Sequence, residues 1–274
     1  MNADLAESCQ LLAINQCETV FISVLFYYVM YTLPILGVRV DDVDYAEALA
    51  RIARYVENHR PGEKTRQVVT VNPEIIIAAQ RDEEFKRVLN EAALSLPDGV
   101  GVLWAARYLG HPLRERVTGV DTMERLAALA ARRGWRLFLL GAAPGVAAGA
   151  AARLEEKNPG LIVAGSYAGS PAPAAEEEIL ARIGAAQAQI LFVAYGAPWQ
   201  DKWIYRLRAR LGVAVAMGVG GAFDFIAGAA PRAPRWLQNL GLEWLHRLSH
   251  QPWRWRRMLA LPQFVWLVWR AGRG

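Results

Sequence analysis

The sequence predicts an α/β fold built on a mostly parallel β-sheet with helices on both faces. Short apolar runs alternate with helical patterns through most of the 274 residues. The runs are continuously apolar, which indicates strands that are buried on both faces. Strands separated by helices pair in parallel through right-handed crossovers. We therefore expect a Rossmann-like domain over residues 33–230.

The predicted strands and helices follow one another in a regular order. Strands are expected at Leu33–Val40, Gln67–Val71, Leu94–Leu96, Trp135–Leu140, Leu161–Ala164, Gln189–Ala194 and Val213–Met217. Capping residues mark three helix starts: Asp44 with Glu47 three residues later, Asn72 before Pro73, and Asp82. Further helices are expected at Asp121–Arg133, after Gly145, at Ala174–Ala186 and from Pro198 to Arg210.

The composition is that of a globular protein, with 54% hydrophobic and 21% charged residues. Both cysteines, Cys9 and Cys17, lie near the N-terminus. The body therefore lacks a disulfide framework and a thiolate metal site, which fits a reducing cytoplasm. The four histidines offer no metal-ligand spacing.

The N-terminal segment supports two interpretations. Residues 1–29 read as an upstream extension outside the fold, with Met30 as a natural start. The uncharged stretch Thr19–Val38 is about as long as a membrane span, so a membrane anchor is the alternative. It is a poor signal peptide, because acidic residues precede it without any lysine or arginine.

The C-terminal segment, residues 231–274, differs from the rest of the chain. It contains eight arginines, no lysine, six of the ten tryptophans and a single acid, Glu243. Tryptophan favours the headgroup depth of a membrane, and arginine binds phosphate through its forked guanidinium. Apolar residues recur at every fourth position from Trp236 to Leu248, which predicts one amphipathic helix. We therefore expect this segment to contact a partner that carries phosphate.

Three partners fit that expectation: an anionic membrane, a nucleic acid and a lipid-linked pyrophosphate. The apolar end of the chain, Val265–Trp269, favours lipid over nucleic acid. The alternative is a basic helix that packs on its own domain and leaves its arginines in solvent.

Polar residues and glycine turns follow several predicted strands, at the sheet edge where such folds bind ligands. Thr70 and Asn72 end one strand, and Asp98 lies in the turn after the next. Asp98 has the chemistry of a general base, although Asp-Gly is also a common turn pair. Asn72 is equally explained as a helix cap. The turns Gly141–Gly145 and Gly218–Gly221 offer N–H groups to a pyrophosphate, but neither has the dinucleotide-binding fingerprint.

The triplet Asp42-Val43-Asp44 has the D-x-D pattern that holds a metal in many sugar-nucleotide transferases. Asp44 is already explained as a helix cap, and the triplet precedes a surface helix. We therefore predict no metal site there.

Taken together, eight segments resemble the WecG/TagA/CpsF family of bacterial glycosyltransferases. They are Thr70–Glu74, Pro97–Gly101, Glu115–Asp121, Leu139–Gly145, Gly196–Gln200, Gly218–Asp224, Gly228–Pro234 and Gly241–Arg247. Each segment is weak by itself, but eight in this order are specific. The resemblance runs from Leu33 to Arg257. Residues 1–32 fall outside it as an N-terminal extension, and residues 231–274 form a membrane-associating appendage expected to fold over the active site.

The resemblance implies an inverting, metal-independent glycosyltransferase without a cofactor, peripheral to the cytoplasmic face of the membrane. We expect it to move N-acetylmannosamine from its UDP-sugar to N-acetylglucosamine on undecaprenyl pyrophosphate, in synthesis of the teichoic acid linkage unit of the cell wall. The alternative donor sugars are N-acetylmannosaminuronic acid, glucose or galactose, for common antigen, capsule or exopolysaccharide. A uronic acid needs an additional cation, and none is evident in the α/β body.

The resemblance also assigns roles to individual residues. It implies that Asp98 is the catalytic base, with Thr70 as a second catalytic residue. The implied substrate-binding residues are Asn72, Gln200, Arg232, Arg235, Arg247 and Arg254, and the two glycine turns add Gly141 and Gly220. The arginines are expected to neutralise the leaving pyrophosphate in place of a metal. The chain departs from the family at Trp199, where a lysine is common.

Two other functional classes stay open from the residues alone. One is a nucleotide-binding oxidoreductase, and the other is a non-catalytic membrane-binding module. A nucleic acid partner is not expected once the lipid-linked acceptor is considered. A homo-oligomer is left open.

Overall fold

The computed structural model describes residues 32–273, apart from the side chains of Arg235, Asn239 and Arg254. The predictions for residues 1–31, an extension or a membrane anchor, lie outside the described residues. No helix among residues 32–273 has the length and apolar character that crossing a membrane requires.

Six parallel strands form the central sheet. They are β3 (Arg66–Val71), β4 (Leu94–Pro97), β5 (Arg136–Gly141), β6 (Ile162–Tyr167), β7 (Ile190–Ala194) and β8 (Val215–Gly218), in the order β4-β3-β8-β7-β5-β6. The predicted Rossmann-like α/β fold is confirmed. After β4, the chain adds its later strands on the opposite side of β3. The carboxyl ends of β3, β8 and β7 therefore border the crevice where such folds bind ligands.

Helices connect and cover these strands. In the α/β body they are α1 (Tyr45–Glu57), α2 (Pro73–Ala79), α3 (Glu83–Asn90), α4 (Val100–Tyr108), α5 (Gly119–Arg133), α6 (Val146–Lys157), α7 (Glu176–Ala186), α8 (Trp199–Leu207) and α9 (Ala222–Ala227). The C-terminal appendage, residues 231–274, contributes α10 (Arg235–Asn239), α11 (Glu243–His250), α12 (Trp255–Met258) and α13 (Ala260–Ala271). Short 3₁₀ turns lie at Pro173–Ala175 and Pro252–Arg254.

The single strand predicted at Leu33–Val40 is wrong. The segment is an antiparallel hairpin of β1 (Thr32–Ile35) and β2 (Val38–Asp41), separate from the main sheet. Leu36 and Gly37 reverse the chain with φ angles of 50° and 76°. Glycine adopts this left-handed conformation without steric cost, so the turn divides what reads as one apolar run.

The predicted helix caps are confirmed. Asp44 Oδ1 accepts the N–H of Glu47 at 2.8 Å, Asn72 Oδ1 accepts that of Ile75 at 3.0 Å, and Asp82 Oδ1 accepts that of Phe85 at 2.9 Å. Each bond satisfies a helix-terminal N–H that has no partner inside the helix. The middle cap, Asn72, also fixes the chain direction as it leaves β3.

Apolar side chains fill both faces of the sheet. One face packs against α1, α5, α6 and α9, and the other against α7 and α8. A third cluster lies between the hairpin, α2, α3 and α4, and it includes Phe264 and Val268 of α13. The last helix of the appendage is thereby part of the folded core.

The appendage differs from its predicted form in two ways. The one amphipathic helix expected from Trp236 to Leu248 is broken into α10 and α11 at Gly241, where φ is 73°. A side chain there would also collide with Val100 of α4. The apolar end expected to face lipid divides as well: Phe264 and Val268 are buried, while Val265, Trp266 and Trp269 are exposed.

Candidate active site

Two adjoining cavities lie at the carboxyl edge of the sheet. The polar cavity, about 380 Å³, is bounded by the ends of β3 and β7, by the Gly220–Gly221 turn and by the start of α9. The apolar cavity, about 310 Å³, lies between α4 and the appendage. Both are lined by Asn72, Glu74, Asp98, Val120, Phe225 and Arg247. A molecule in either cavity therefore reaches Asp98.

Asp98 directly follows β4 and forms part of the wall between the cavities. Its backbone N–H donates to Val71 at 2.8 Å, which fixes the residue to β3, and its Oδ2 accepts the N–H of Gly119 at 3.4 Å. Removal of water by the surrounding protein raises the pKa of Asp98 to about 6. The Gly119 bond and Arg116 oppose this rise, and the negative charge of Glu243 adds to it.

Thr70 and Asn72 lie beside Asp98, as expected for residues at adjacent strand ends. Thr70 is buried near the end of β3 and, like Asn72, lines the polar cavity. A methyl group at Gly119 would come within 3.2 Å of Thr70 Cγ2, so the start of α5 packs closely on this threonine. Asn72 combines its helix-capping bond with a place on the wall of both cavities.

Gln200 ties together two loops of the polar cavity. Its Oε1 accepts the N–H of Gly196 at 3.1 Å and that of Gly220 at 3.0 Å, although these glycines lie on different loops. The side chain is buried, and its amide also bonds the carboxyl of Asp201. The resemblance implied a substrate contact for Gln200, and the geometry gives it the additional task of holding both loops in place.

The two predicted glycines have different surroundings. Gly220 lines the polar cavity, with its N–H already bonded to Gln200. Gly141 is not among the residues that line either cavity, so the structure does not bring it to the predicted site. A Cβ at Gly141 would lie 2.8 Å from the backbone carbon of Ala194, and its φ is 107°. Close contact between β5 and β7 explains this glycine without a ligand.

Arg232 connects the appendage to the α/β body. Its Nη1 donates to Asp121 Oδ1 at 2.6 Å, and its Nε lies 3.5 Å from Glu243 Oε1. Burial opposes ionisation of Asp121, but the bonds from Arg232 and Thr118 outweigh it and lower the pKa of Asp121 to about 2. Arg232 lines the apolar cavity, already paired with acids of the protein.

Arg247 lies between the two cavities. Its guanidinium carbon is 4.9 Å from the ring centre of Phe225, and its Nε is buried with no hydrogen-bond partner among the described residues. Burial lowers the pKa of Arg247, because the charged form loses water. A side chain at Gly221 would collide with Arg247 Nη2, so glycine there lets the guanidinium approach the loop. An anion bound beside Gly221 would meet this guanidinium.

The side chains of the other two predicted arginines, Arg235 and Arg254, lie outside the described residues. Another contact between the appendage and the α/β body, which the sequence did not reveal, joins Arg257 Nε to Glu74 Oε2 at 2.9 Å. It connects α12 to α2, and both residues line the polar cavity. The partners are 183 positions apart, so no local pattern in the sequence could have paired them.

The two acidic side chains of the Asp42–Asp44 triplet pair with an arginine. Arg114 forms ion pairs with Asp42 at 3.3 Å and with Asp44 at 3.7 Å, and it also contacts Glu47. Within residues 32–273, no group of three or more histidine, cysteine or acidic side chains is arranged to hold a metal. Asp42 and Asp44 therefore form ion pairs with Arg114, and Asp44 also caps α1.

Comparison with known proteins shows which family this chain is similar to. A family model described as the glycosyl transferase WecG/TagA/CpsF family matches residues 33–274. A Bacillus subtilis (strain 168) protein named N-acetylglucosaminyldiphosphoundecaprenol N-acetyl-beta-D-mannosaminyltransferase is 37% identical over 216 residues, which cover 78% of this chain and 83% of that protein.

Two further relatives carry the same name. A protein of Bacillus spizizenii is 37% identical over 201 residues, covering 73% of this chain and 77% of its own. One from Staphylococcus aureus (strain MW2) is 29% identical over 239 residues, covering 87% of this chain and 92% of its own. Because the family model spans nearly all of the described residues, this chain belongs to the WecG/TagA/CpsF family of glycosyltransferases.

Proposed function

We propose that this glycosyltransferase moves N-acetylmannosamine from UDP-N-acetylmannosamine to N-acetylglucosamine on undecaprenyl pyrophosphate. The names of relatives at 37% identity support the sugar and the acceptor. The observation that carries the proposal is the position of Asp98, a carboxyl with a raised pKa on the wall shared by two cavities. Two substrates can meet at such a group, one from each side.

The polar cavity suits the UDP-sugar. It lies at the carboxyl ends of the strands, where nucleotides bind in this fold class. Gly221 lines this cavity beside the Arg247 guanidinium, which supplies charged donors along one wall. Charge-assisted bonds from arginine stabilise the negative charge that grows on the departing pyrophosphate. We assign this task to Arg247, which lies on the wall that both cavities share.

The apolar cavity suits the lipid-linked acceptor. Val100, Trp244, Leu248, Met258 and Leu261 supply its apolar lining, and Arg116 and Arg232 supply charge. The acceptor has the same two parts, because its pyrophosphate is joined to an apolar chain. In this placement the acceptor sugar lies toward Asp98, and the lipid follows the appendage.

A single displacement accounts for the reaction. The acceptor hydroxyl attacks the anomeric carbon of the donor sugar while its proton passes to the Asp98 carboxylate, and the bond to UDP breaks. The configuration at that carbon inverts, and UDP leaves with both electrons of the broken bond. Thr70 and Asn72 are assigned to orient the donor beside Asp98, because both line the polar cavity.

We also propose that the appendage holds the enzyme on an anionic membrane, at the cytoplasmic face where a UDP-sugar is available. All six of its tryptophans are at least 39% exposed, with Trp253 at 71%. Arg270 and Arg273 lie 5.7 and 3.7 Å from the ring centres of Trp266 and Trp269. Exposed tryptophans beside cations suit a lipid headgroup layer.

A donor panel tests the proposal. Purified enzyme is incubated with a GlcNAc-pyrophosphoryl-lipid and one UDP-sugar at a time: N-acetylmannosamine, N-acetylmannosaminuronic acid, glucose or galactose. UDP release is measured, and the product is identified by mass spectrometry. We expect turnover with UDP-N-acetylmannosamine to exceed that with the other donors at least tenfold. Preference for another donor would overturn the sugar assignment, and absence of transfer from every donor would overturn the reaction.

A further inference from the structure

We infer that Glu243 is a positioning residue that couples docking of the appendage to the proton-accepting step at Asp98. This inference rests on the proposed role of Asp98 as the base. Glu243 is the only acidic residue in residues 231–274, and it is the first residue of α11. Its side chain lines the apolar cavity together with Asp98.

Two arginines from different parts of the chain hold Glu243. Oε2 lies 3.7 Å from Nη1 of Arg116, in the loop before α5, and Oε1 lies 3.5 Å from Nε of Arg232. Arg232 is held in turn by its 2.6 Å bond to Asp121 on α5. The carboxylate therefore joins α11 to the loop and helix that carry Gly119, the hydrogen-bond donor to Asp98.

These contacts of Glu243 are ion pairs without close hydrogen bonds. Nitrogen–oxygen distances of 3.5 and 3.7 Å exceed the 2.7–2.9 Å typical of charge-assisted bonds. In agreement, Arg232 Nε and Nη2 are buried without a hydrogen-bond partner among the described residues. A carboxylate that is only loosely paired keeps more of its field at neighbouring groups.

The electric field of Glu243 affects the protonation of Asp98. Besides the Gly119 N–H, the charges that act on it most strongly are Arg116, Glu243 and Asp121, and Glu74 and Arg247 line the same two cavities. Glu243 and Asp121 favour the protonated form of Asp98, whereas Arg116 favours the ionised form. When α11 is docked, Glu243 both adds a negative charge and partly neutralises Arg116. With α11 docked, Glu243 therefore makes Asp98 a stronger base than it would be without this carboxylate.

A second contact between the appendage and the body supplies a matched control. Arg257 and Glu74 join α12 to α2 at 2.9 Å, but neither is among the charges that act most strongly on Asp98. Arg257→Gln removes a docking contact and leaves Glu243 in place. If Glu243 only holds the appendage in place, Glu243→Gln and Arg257→Gln will change the pH dependence in the same way.

The test is the pH dependence of kcat/KM, which reports the free enzyme's essential base. For Glu243→Gln we expect the midpoint of the acidic limb to move down by at least about half a pH unit, because removing a nearby negative charge lowers the proton affinity of Asp98. Arg257→Gln and the remote surface variant Glu57→Gln keep the wild-type midpoint. Glu243→Asp, which keeps the charge, stays closer to the wild type than Glu243→Gln.

A folded Glu243→Gln enzyme with the wild-type midpoint would overturn the inference, as would the same downward shift in Arg257→Gln. Circular dichroism establishes that each variant is folded. If Glu243→Gln turns over too slowly, ¹³C NMR titration of the Asp98 carboxyl gives the same comparison without catalysis. Failure of the proposed base itself is seen separately, as full activity in Asp98→Asn.

Discussion

At the residue scale, two aspartates with raised pKa values differ in what they can reach: Asp98 directly follows β4, and Asp201 lies in the first turn of α8. Burial raises the pKa of Asp98 to about 6 and that of Asp201 to about 7. Asp98 lines both cavities, whereas Asp201 is only 2% exposed and lines neither. A perturbed pKa alone would select either carboxyl as the base, and access to the cavities selects Asp98.

The buried Asp201 predicts a pH-dependent stability. Its pKa is higher in the folded protein than its ordinary value of 3.8, so its contribution to stability is full below that value and is lost as the pH rises through about 7. Asp201→Asn cannot ionise. We therefore expect its Tm to exceed the wild-type Tm at pH 8, with the difference shrinking toward pH 5. A Tm difference that does not change with pH would contradict this assignment.

Gln200 gives a second prediction at this scale. Gln200→Leu removes the acceptor for two loop N–H groups, so the loops around the polar cavity lose their common support. We expect KM for the UDP-sugar to rise at least fivefold. The control is Gln189→Leu, because Gln189 Oε1 accepts the N–H of Arg136 at 2.7 Å at the opposite edge of the sheet. An unchanged KM in Gln200→Leu, or an equal rise in both variants, would contradict the role.

At the scale of elements, α13 serves the fold as well as the exposed surface that we propose faces the membrane. Phe264 and Val268 lie in the cluster under the hairpin, while Trp266 and Trp269 are exposed. A truncation at Pro231 would therefore remove part of the core together with the arginines. Point variants separate the loss of core packing from the loss of the arginines, and truncation does not.

Because one face of α13 is buried and the other exposed, neighbouring variants on it are expected to change the free energy of unfolding by very different amounts. Phe264→Ala leaves a cavity in the core, and we expect it to lower the free energy of unfolding by about 3–5 kcal/mol. Val265→Ala alters an exposed side chain and is expected to change it by less than about 0.5 kcal/mol. Urea denaturation measures both values. A small effect of Phe264→Ala would show that α13 is not part of the core.

The helices and strands differ in how well the sequence predicts them. Helix caps such as Asn72 and the buried strands are predictable, because a few adjacent residues determine them. The break at Gly241 escapes a periodicity argument, since the apolar pattern continues through the glycine while contact with Val100 decides the turn. The pairing of Arg232 with Asp121 spans 111 positions, so it depends on the fold as a whole. The adjacency of Asp98 and Thr70 was predictable because parallel strand ends share one edge, whereas their catalytic roles come from the family resemblance and stay predictions.

At the scale of the whole molecule, exposed apolar side chains collect at one end of the chain. Ten of the fifteen large apolar side chains exposed among the described residues belong to the appendage. Others lie on α4, where Trp104 stacks on Tyr108, and the Tyr108 hydroxyl lies 3.5 Å from the carbonyl oxygen of Trp269. Val100 and Trp244 of this set also line the apolar cavity, so the arrangement favours one membrane-facing surface beside that cavity.

That surface predicts binding to anionic vesicles. We expect the enzyme to co-sediment with vesicles of phosphatidylglycerol and phosphatidylcholine more than with phosphatidylcholine alone, and less at high salt. Trp253→Ala, which removes an exposed appendage ring, is expected to weaken binding at least threefold. Trp199→Ala is the control, because Trp199 is 65% exposed on the α/β body. Equal losses in the two variants would contradict a membrane-facing appendage.

The central claim is that Asp98 accepts the proton of the acceptor hydroxyl at the junction of the two cavities. The most direct test is the kcat/KM of Asp98→Asn with UDP-N-acetylmannosamine and GlcNAc-pyrophosphoryl-lipid. Asparagine keeps the shape of the side chain and cannot act as the base, so we expect a loss of about 10²–10⁴-fold. UDP affinity, measured by calorimetry, stays within twofold of wild type. Turnover near the wild-type rate would contradict the account.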